Sequence, residues 1–138
     1  MLREVMDRVD AVRQVFEAAW NREHFGPLEE ILATEFSFHM GGQTRTMNVA
    51  DLREIIARWR TAFPDLRFDM HAVIADGDRA AAHATLNGTH EGIWSDLDAT
   101  GRSIHVEHMF FFRFDHERIV EVWELLDRPA LQRQISED

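Results

Sequence analysis

The fold is decided by residues 66–90, LRFDMHAVIADGDRAAAHATLNGTH. Apolar and polar side chains alternate over residues 66–74, and this period of two is typical of a half-buried β-strand. Asp76-Gly77-Asp78 is a tight-turn signal, so residues 79–90 are predicted to form a second strand that pairs with the first. The inner face of this second strand carries mainly alanines, which indicates a curved sheet with room against its concave side.

Helices are predicted before this hairpin, and two more strands after it. The predicted helices cover residues 2–24, a short stretch opened by Pro27, residues 48–63 and residues 129–135. The further strands cover residues 103–114 and 119–126, after a loop over residues 92–102. Three N-terminal helices followed by sequential strands predict an α+β fold, with the helices packed on a curved, mostly antiparallel sheet. The length predicts one domain, residues 1–138.

The composition excludes several classes of function. The chain has 15 Lys and Arg residues against 25 Asp and Glu residues, a net charge of −10, and this charge repels nucleic-acid backbones and anionic membranes. The absence of Cys excludes disulfides, Cys-ligated metals and thiol nucleophiles. No apolar run approaches the roughly 20 residues of a membrane span, and the charged N-terminus is unlike a signal peptide. We therefore expect a cytoplasmic protein that binds neither nucleic acid nor membrane.

Three polar residues fall where the strand periodicity calls for hydrophobic side chains. His108 shares a face of its predicted strand with Phe110, and Glu124 lies on the apolar face of the last strand. A turn over residues 115–118 puts Phe110 opposite Glu124 and His108 diagonal to it. His90 continues the inner face of the second strand. These positions point to a polar site inside an otherwise apolar cone.

Glu124 is the leading candidate for a catalytic acid or base. A carboxyl group on a Phe-rich concave face loses hydration, which favours its neutral form and suits general acid–base catalysis near neutral pH. The alternative is a solvated position at the open rim of the sheet. Asp127 is a second candidate catalytic acid, because it also ends the last strand. Its alternative role is to cap the helix that follows, since Asp is among the preferred N-cap residues.

Histidines and aromatic residues are the candidate substrate contacts. His108 and His90 could be proton shuttles, oxyanion donors or ligand contacts, or core histidines bonded to a backbone carbonyl. His39 is expected either to line the pocket or to order the junction between helices and sheet. Six aromatic residues are expected at the pocket: Trp20, Phe38, Trp59, Trp94, Phe110 and Phe112. For Trp20 and Trp59 the alternative is a place in the hydrophobic core.

No metal or cofactor site is expected. His105 and His108 are three residues apart, and on a strand this spacing places them on opposite faces, where they cannot bind one ion together. No glycine-rich loop precedes a helix, as a phosphate-binding loop would.

An ordered set of short motifs runs along nearly the whole chain and resembles the SnoaL-like polyketide cyclases of the NTF2-like superfamily. The motifs are Ala19-Trp20-Asn21, Phe36-Ser37-Phe38-His39, residues 63–68, Asp76-Gly77-Asp78, residues 88–92, Thr100-Gly101-Arg102, Phe112-Arg113-Phe114 and residues 119–123. The resemblance implies a helix-lined cone with a deep pocket, and a homo-oligomer, expected to be a dimer. It aligns Glu124 with the catalytic Asp of aldol-cyclising members. The chain departs from that pattern at Phe110, where those members have a His.

The function expected from these residues is enzymatic. Glu124 would abstract a proton beside a carbonyl of a hydrophobic, polyketide-type molecule, the enolate would close a ring, and Glu124 would return the proton. His108 or His90 would hydrogen-bond the developing enolate oxygen. One alternative is a non-catalytic domain that binds a small molecule. Another is epoxide opening or ether-ring closure, which normally uses two carboxylates.

Overall fold

The computed structural model describes residues 7–136, and over this range four helices lie against a curved, open sheet of six strands. The helices are α1 (Arg8–Gln14), α2 (Leu28–Ile31), α3 (Val49–Ala62) and α4 (Arg128–Ser136). The strands are β1 (Leu32–Met40), β2 (Gln43–Met47), β3 (Arg67–Asp76), β4 (Arg79–Thr89), β5 (Ser103–Asp115) and β6 (Arg118–Leu126). The predicted α+β fold is confirmed. Between residues 7 and 136, no helix is long and apolar enough to cross a membrane.

The sheet has the order β2-β1-β6-β5-β4-β3, in which β1 and β6 are parallel and the other neighbours antiparallel. The antiparallel run predicted from the sequence corresponds to β3–β6 and is confirmed. Strands β1 and β2 form a hairpin at the sheet edge. The periodicity of the sequence does not predict this pair. The hairpin turns at Gly41 and Gly42, whose φ angles are 61° and 78°. Most of β2 is polar and exposed, so it lacks the alternation of a half-buried strand.

The first helix changes character in its second half. α1 continues directly into a π-helical segment, Val15–Trp20. The helix predicted over residues 2–24 is confirmed up to this point, and residues 2–6 lie outside the described residues. It ends earlier than predicted because the chain leaves the helix at Glu23, whose φ is 55°.

Two bulges decide which side chains of the outer strands of the meander face the helices. The β3 register shifts at His71, so Ile74 is 68% exposed instead of facing inward as the alternation predicts. The β6 register shifts at Val120. Ile119 is therefore buried, whereas alternation from Val122 would bury Val120. β4 and β5 pair without a shift, and their predicted inner faces are buried as expected.

An aromatic cluster joins the first helix to the concave face of the sheet. Phe16 meets Phe68 and Phe110 edge-on, with ring centroids 5.2 and 4.8 Å apart, and Trp20 meets Phe68 at 5.2 Å. Such pairs contribute about 0.5–1.5 kcal/mol each beyond the area they bury. The helices therefore cover the β3–β5 part of this face.

The outer face of the sheet carries a charged network between β1, β5 and β6. Arg113 Nε donates to Glu121 Oε1 at 2.8 Å, and His39 Nε2 lies 2.6 Å from Glu121 Oε2. The His39 ring stacks on Trp123, with centroids 4.9 Å apart. The Arg113 guanidinium holds the pKa of Glu121 below its usual range, and although burial opposes this, the hydrogen bond with His39 adds to it. The carboxylate therefore ties the parallel strand to the antiparallel meander.

Glu121→Gln is expected to lower the free energy of unfolding by about 1 kcal/mol at pH 7, since it removes a charge-assisted hydrogen bond. Because the folded-state pKa is below the unfolded one, this contribution is present above the ordinary Glu pKa of 4.5 and is lost as the pH falls through the folded-state pKa. Urea unfolding at pH 7 and pH 3 measures the difference, with the turn residue Glu117→Gln as the control. An equal deficit at both pH values would contradict the assignment.

Gly92→Ala is expected to destabilise the protein by about 1–3 kcal/mol, because a Cβ at Gly92 would overlap the carbonyl oxygen of Thr61. The Gly92 backbone N–H also donates to the carbonyl of Ala62 at 3.1 Å, so the loop after β4 is fixed to the end of α3. At Gly26 the nearest atom to a Cβ is 3.8 Å away, which makes Gly26→Ala a matched control. Equal urea midpoints for the two variants would disprove this close approach.

Candidate functional site

A cavity of about 600 Å³ lies between the helices and the concave face of the sheet. Its walls come from the π-helical segment, β1, β2, α3, the loop after β4, β5, β6 and the start of α4. The predicted pocket residues that line it are Trp20, Phe38, Trp59, Trp94, Phe110, Phe112 and Glu124. The volume lies in the range of small-molecule sites, and the mainly aromatic and aliphatic walls suit a hydrophobic ligand.

Glu124 and His108 meet on the inner face of β5 and β6. Phe110 is opposite Glu124 and His108 is opposite Leu126, which is the predicted register. The Glu124 side chain is 12% exposed and His108 is 1% exposed, and His108 Nε2 lies 3.1 Å from Glu124 Oε2. A buried imidazole and a cavity carboxylate therefore lie in direct contact, at the distance of an ion pair.

The surroundings of His108 are aromatic. Its ring stacks on Phe110 with centroids 5.4 Å apart and an interplanar angle of 8°, and it meets the edge of Phe68 at 5.2 Å. Its Nδ1 atom is buried and has no hydrogen-bond partner among residues 7–136. Its other nitrogen, Nε2, is the one that faces the Glu124 carboxylate. His108 does not line the cavity itself, so it acts on the cavity through the carboxylate.

Asp127 and His90 lie outside the cavity lining. Asp127 is exposed, and its Oδ1 accepts the Ala130 backbone N–H at 3.0 Å, so it caps α4. His90 is fully buried, and its Nδ1 lies 3.0 Å from the Thr100 hydroxyl oxygen. It therefore closes the base of the loop over residues 92–102. Its Nε2 has no partner within the described part of the chain.

His39 is the predicted site residue whose position differs from both expectations. It lies on the outer face of the sheet, bonded to Glu121, and is neither at the pocket nor at the junction with the helices. The reason is alternation, because Phe38 points into the cavity and the next residue of β1 must point away. Of the predicted polar residues, the structure brings together Glu124 and His108 and leaves the other three apart.

Three arginines line the cavity that the sequence patterns did not single out: Arg45, Arg58 and Arg128. Each is exposed, so each lies at the cavity's opening. Two of these arginines are next to a predicted site residue, and this position in the sequence could have pointed to the cavity. Arg58 directly precedes Trp59 on α3, and Arg128 directly follows Asp127, the capping residue of α4. Arg45 lies on the edge strand β2, whose polar sequence has no strand periodicity.

The lining thus combines one carboxylate with an apolar interior and a basic opening. Within the described range, Glu124 is the only carboxylate that lines the cavity. A largely buried carboxylate in contact with a neighbouring imidazole can accept and return a proton at a fixed position. No group of three or more potential metal ligands occurs among residues 7–136.

Solved structures share this fold along nearly the whole chain. A candidate SnoaL-like polyketide cyclase from Jannaschia sp. CCS1 has a TM-score of 0.83 and 19% identity, over 100% of this chain and 99% of that chain. TsrD from Streptomyces laurentii has a TM-score of 0.79 and 26% identity, over 95% of this chain and 98% of that chain. AclR from Streptomyces galilaeus, a candidate hydroxylase, has a TM-score of 0.78 and 22% identity, over 94% of this chain and 96% of that chain. A search of curated proteins gives no match.

The family model of the SnoaL-like polyketide cyclases matches residues 10–135. This range contains all six strands of the sheet, every residue that lines the cavity, and the pair formed by Glu124 and His108. By this match, the chain belongs to the SnoaL-like polyketide cyclase family.

Proposed function

We propose that this protein cyclises a hydrophobic, polyketide-type small molecule by general acid–base catalysis, with Glu124 as the acid–base group. The observation that carries the proposal is the Glu124 carboxylate, which lines an aromatic cavity and is held by the buried His108 at 3.1 Å. Family membership supports the reaction class, and the cavity volume of about 600 Å³ supports a substrate of several fused or linked rings.

In the proposed reaction, Glu124 takes a proton from a carbon beside a carbonyl group. The resulting enolate attacks a second carbonyl of the same molecule, a carbon–carbon bond forms, and protonated Glu124 returns its proton to the new alkoxide. His108 is a positioning residue in this scheme, because its Nε2 keeps one carboxylate oxygen fixed while the other faces the substrate. The apolar walls hold the two reacting carbons together, which contributes through proximity.

The enolate oxygen needs a hydrogen-bond donor, and Trp94 can supply one. Trp94 lines the cavity, and its Nε1 is buried without a partner among the described residues. His108 and His90 are less suited to this role than the sequence predicts, because His108 faces Glu124 at 3.1 Å and neither histidine lines the cavity. We therefore assign the donor role to the indole N–H of Trp94.

Two other functions are outcomes of the same test. A binding domain would retain its ligand unchanged, with saturable binding and no product. Epoxide opening or ether-ring closure would draw on a second acid, and Asp127, the other predicted acid, caps α4 outside the cavity lining. Analysis of the products by mass spectrometry distinguishes all three.

Glu124→Gln is expected to lower turnover about 10²–10⁴-fold while the protein still binds its substrate, because the amide cannot take up the proton. Glu107 is the matched control, since it forms a similar pair with His83 at 2.9 Å on the exposed outer face of β5. Polyketide-type ketones and esters are screened by thermal shift, and stabilising compounds are then incubated with each variant and analysed by mass spectrometry. Full turnover by Glu124→Gln, or equal losses in Glu107→Gln, would refute the assignment.

His108→Phe extends this test to the positioning role. Phe keeps the ring that stacks on Phe110 but removes the polar contact with Glu124. Turnover is expected to fall less than in Glu124→Gln, and the pH dependence of the rate is expected to change, whereas a purely structural role would leave the pH dependence unaltered.

We also propose a homodimer formed through the outer face of the sheet. Met109, Phe111 and Leu125 are 52%, 42% and 72% exposed on this face, and such apolar patches often mark association sites. Phe111→Glu is expected to convert the dimer into a monomer in light scattering. A monomeric wild-type protein would contradict the proposal.

A further inference from the structure

The charges around the cavity are unequal, although the chain as a whole is strongly acidic. Arg45, Arg58 and Arg128 line the cavity together with a single carboxylate, Glu124, within the described range. The full chain carries a net charge of −10. The cavity is therefore a locally positive region of a negative protein.

None of these three arginines has a hydrogen-bond, ion-pair or ring partner among residues 7–136. Some other arginines of the chain are engaged: Arg60 donates to the carbonyl of Trp20, and Arg113 donates to Glu121. Within residues 7–136, no partner therefore occupies the donors of the cavity arginines.

The three arginines come from separate parts of the fold. Arg45 lies on the edge strand β2, Arg58 on α3 and Arg128 at the first position of α4. No single helical or strand periodicity places them at one cavity, so the arrangement belongs to the tertiary structure. Three guanidinium groups around one opening provide many donors for a planar anion, which arginine binds through two parallel hydrogen bonds.

The interior constrains how an anion can bind. Glu124 is 12% exposed and the walls around it are aromatic, so an anionic group placed beside it would lose its hydration next to another acidic group, which is unfavourable. An amphipathic ligand avoids this by keeping its charge at the opening and its neutral part inside. The reacting carbonyl groups then lie beside Glu124.

We propose that the substrate carries a carboxylate, which Arg45, Arg58 and Arg128 bind at the cavity opening while its hydrophobic body extends inward to Glu124. This inference rests on the proposed function for the reacting part of the molecule. It adds the chemical class, a polycyclic or polyketide-type acid, and the orientation in which the acid enters.

The test compares pairs of an aromatic acid and its methyl ester, of increasing size: naphthalene-2-carboxylate, anthraquinone-2-carboxylate and a tetracyclic analogue. Dissociation constants are measured by titration of tryptophan fluorescence at low and high salt, because Trp20, Trp59 and Trp94 line the cavity. At least one acid is expected to bind about tenfold more tightly than its ester at low salt, and the preference is expected to shrink at high salt.

Each single Arg→Gln substitution at the three positions is expected to weaken acid binding about three- to fivefold and to leave ester binding unchanged. The triple variant is expected to lose the preference entirely. Arg133→Gln is the matched control, because Arg133 lies on α4 with Arg128, is exposed and does not line the cavity. A preference that survives in the triple variant, or that Arg133→Gln removes equally, overturns the proposal.

The outcomes separate this inference from the proposed function. The acid preference should persist in Glu124→Gln, since that substitution leaves the arginines in place. Turnover of a neutral compound, without acid preference in any pair, overturns the proposal that the substrate carries a carboxylate, but it agrees with acid–base catalysis by Glu124. An acid preference without turnover of any acid overturns the catalytic proposal and leaves the binding mode. If no acid binds more tightly than its ester, or if no acid binds at all, the proposal of a substrate carboxylate is overturned.

Discussion

The bulge at Val120 is the local constraint on which the site depends. At the hairpin turn Asp115 pairs with Arg118, and continuing this register unchanged would set Glu124 opposite Met109 on the exposed outer face. The extra residue shifts the pairing, so Glu124 lies opposite Phe110 and faces the helices. Because side chains alternate along a strand, a single residue decides between an aromatic interior and solvent.

The consequence can be seen in two His–Glu pairs that share β5. His108 and Glu124 are almost entirely enclosed, whereas His83 and Glu107 are 38% and 73% exposed on the opposite face. Their chemistry is the same and their distances are similar, 3.1 and 2.9 Å. What differs is the surrounding medium, since an exposed pair is screened by water and contributes little. Enclosure, and not the choice of residues, makes the inner pair a candidate for proton transfer.

The sequence predicts the parts of this fold that alternate or repeat. β4 and β5 follow a strict period of two, and the inward positions of His108 and Phe110 follow from it. The pairing of Glu124 with Phe110 needs the bulge at Val120 as well. Ile74 and Val120 are misplaced by alternation because bulges invert it, and a bulge has no reliable residue signature. The short strand β2 is missed because Arg45 and its neighbours are exposed and polar, so no apolar face reveals the strand.

The candidate site is predictable to the same extent. Glu124 and the aromatic wall can be read from periodicity, since they belong to regular strands and helices. The arginines at the opening cannot, because they meet only through the arrangement of β2, α3 and α4. His90 looks equivalent to His108 in the pattern, yet it lies past the end of β4, where the chain turns to bond Thr100.

The π-helical segment Val15–Trp20 forms one wall of the cavity through Val15, Phe16 and Trp20. A π-turn holds one residue more than the α-helical turn it replaces, so it can lose a residue by becoming an α-helical turn while the helix on either side keeps its direction. Such a loss would change which side chains of Val15–Trp20 form the wall, while the sheet, its bulges and Glu124 kept their places. The shape of the binding site is thus adjustable from the helix side by insertion or deletion, independently of the strands that carry the acid.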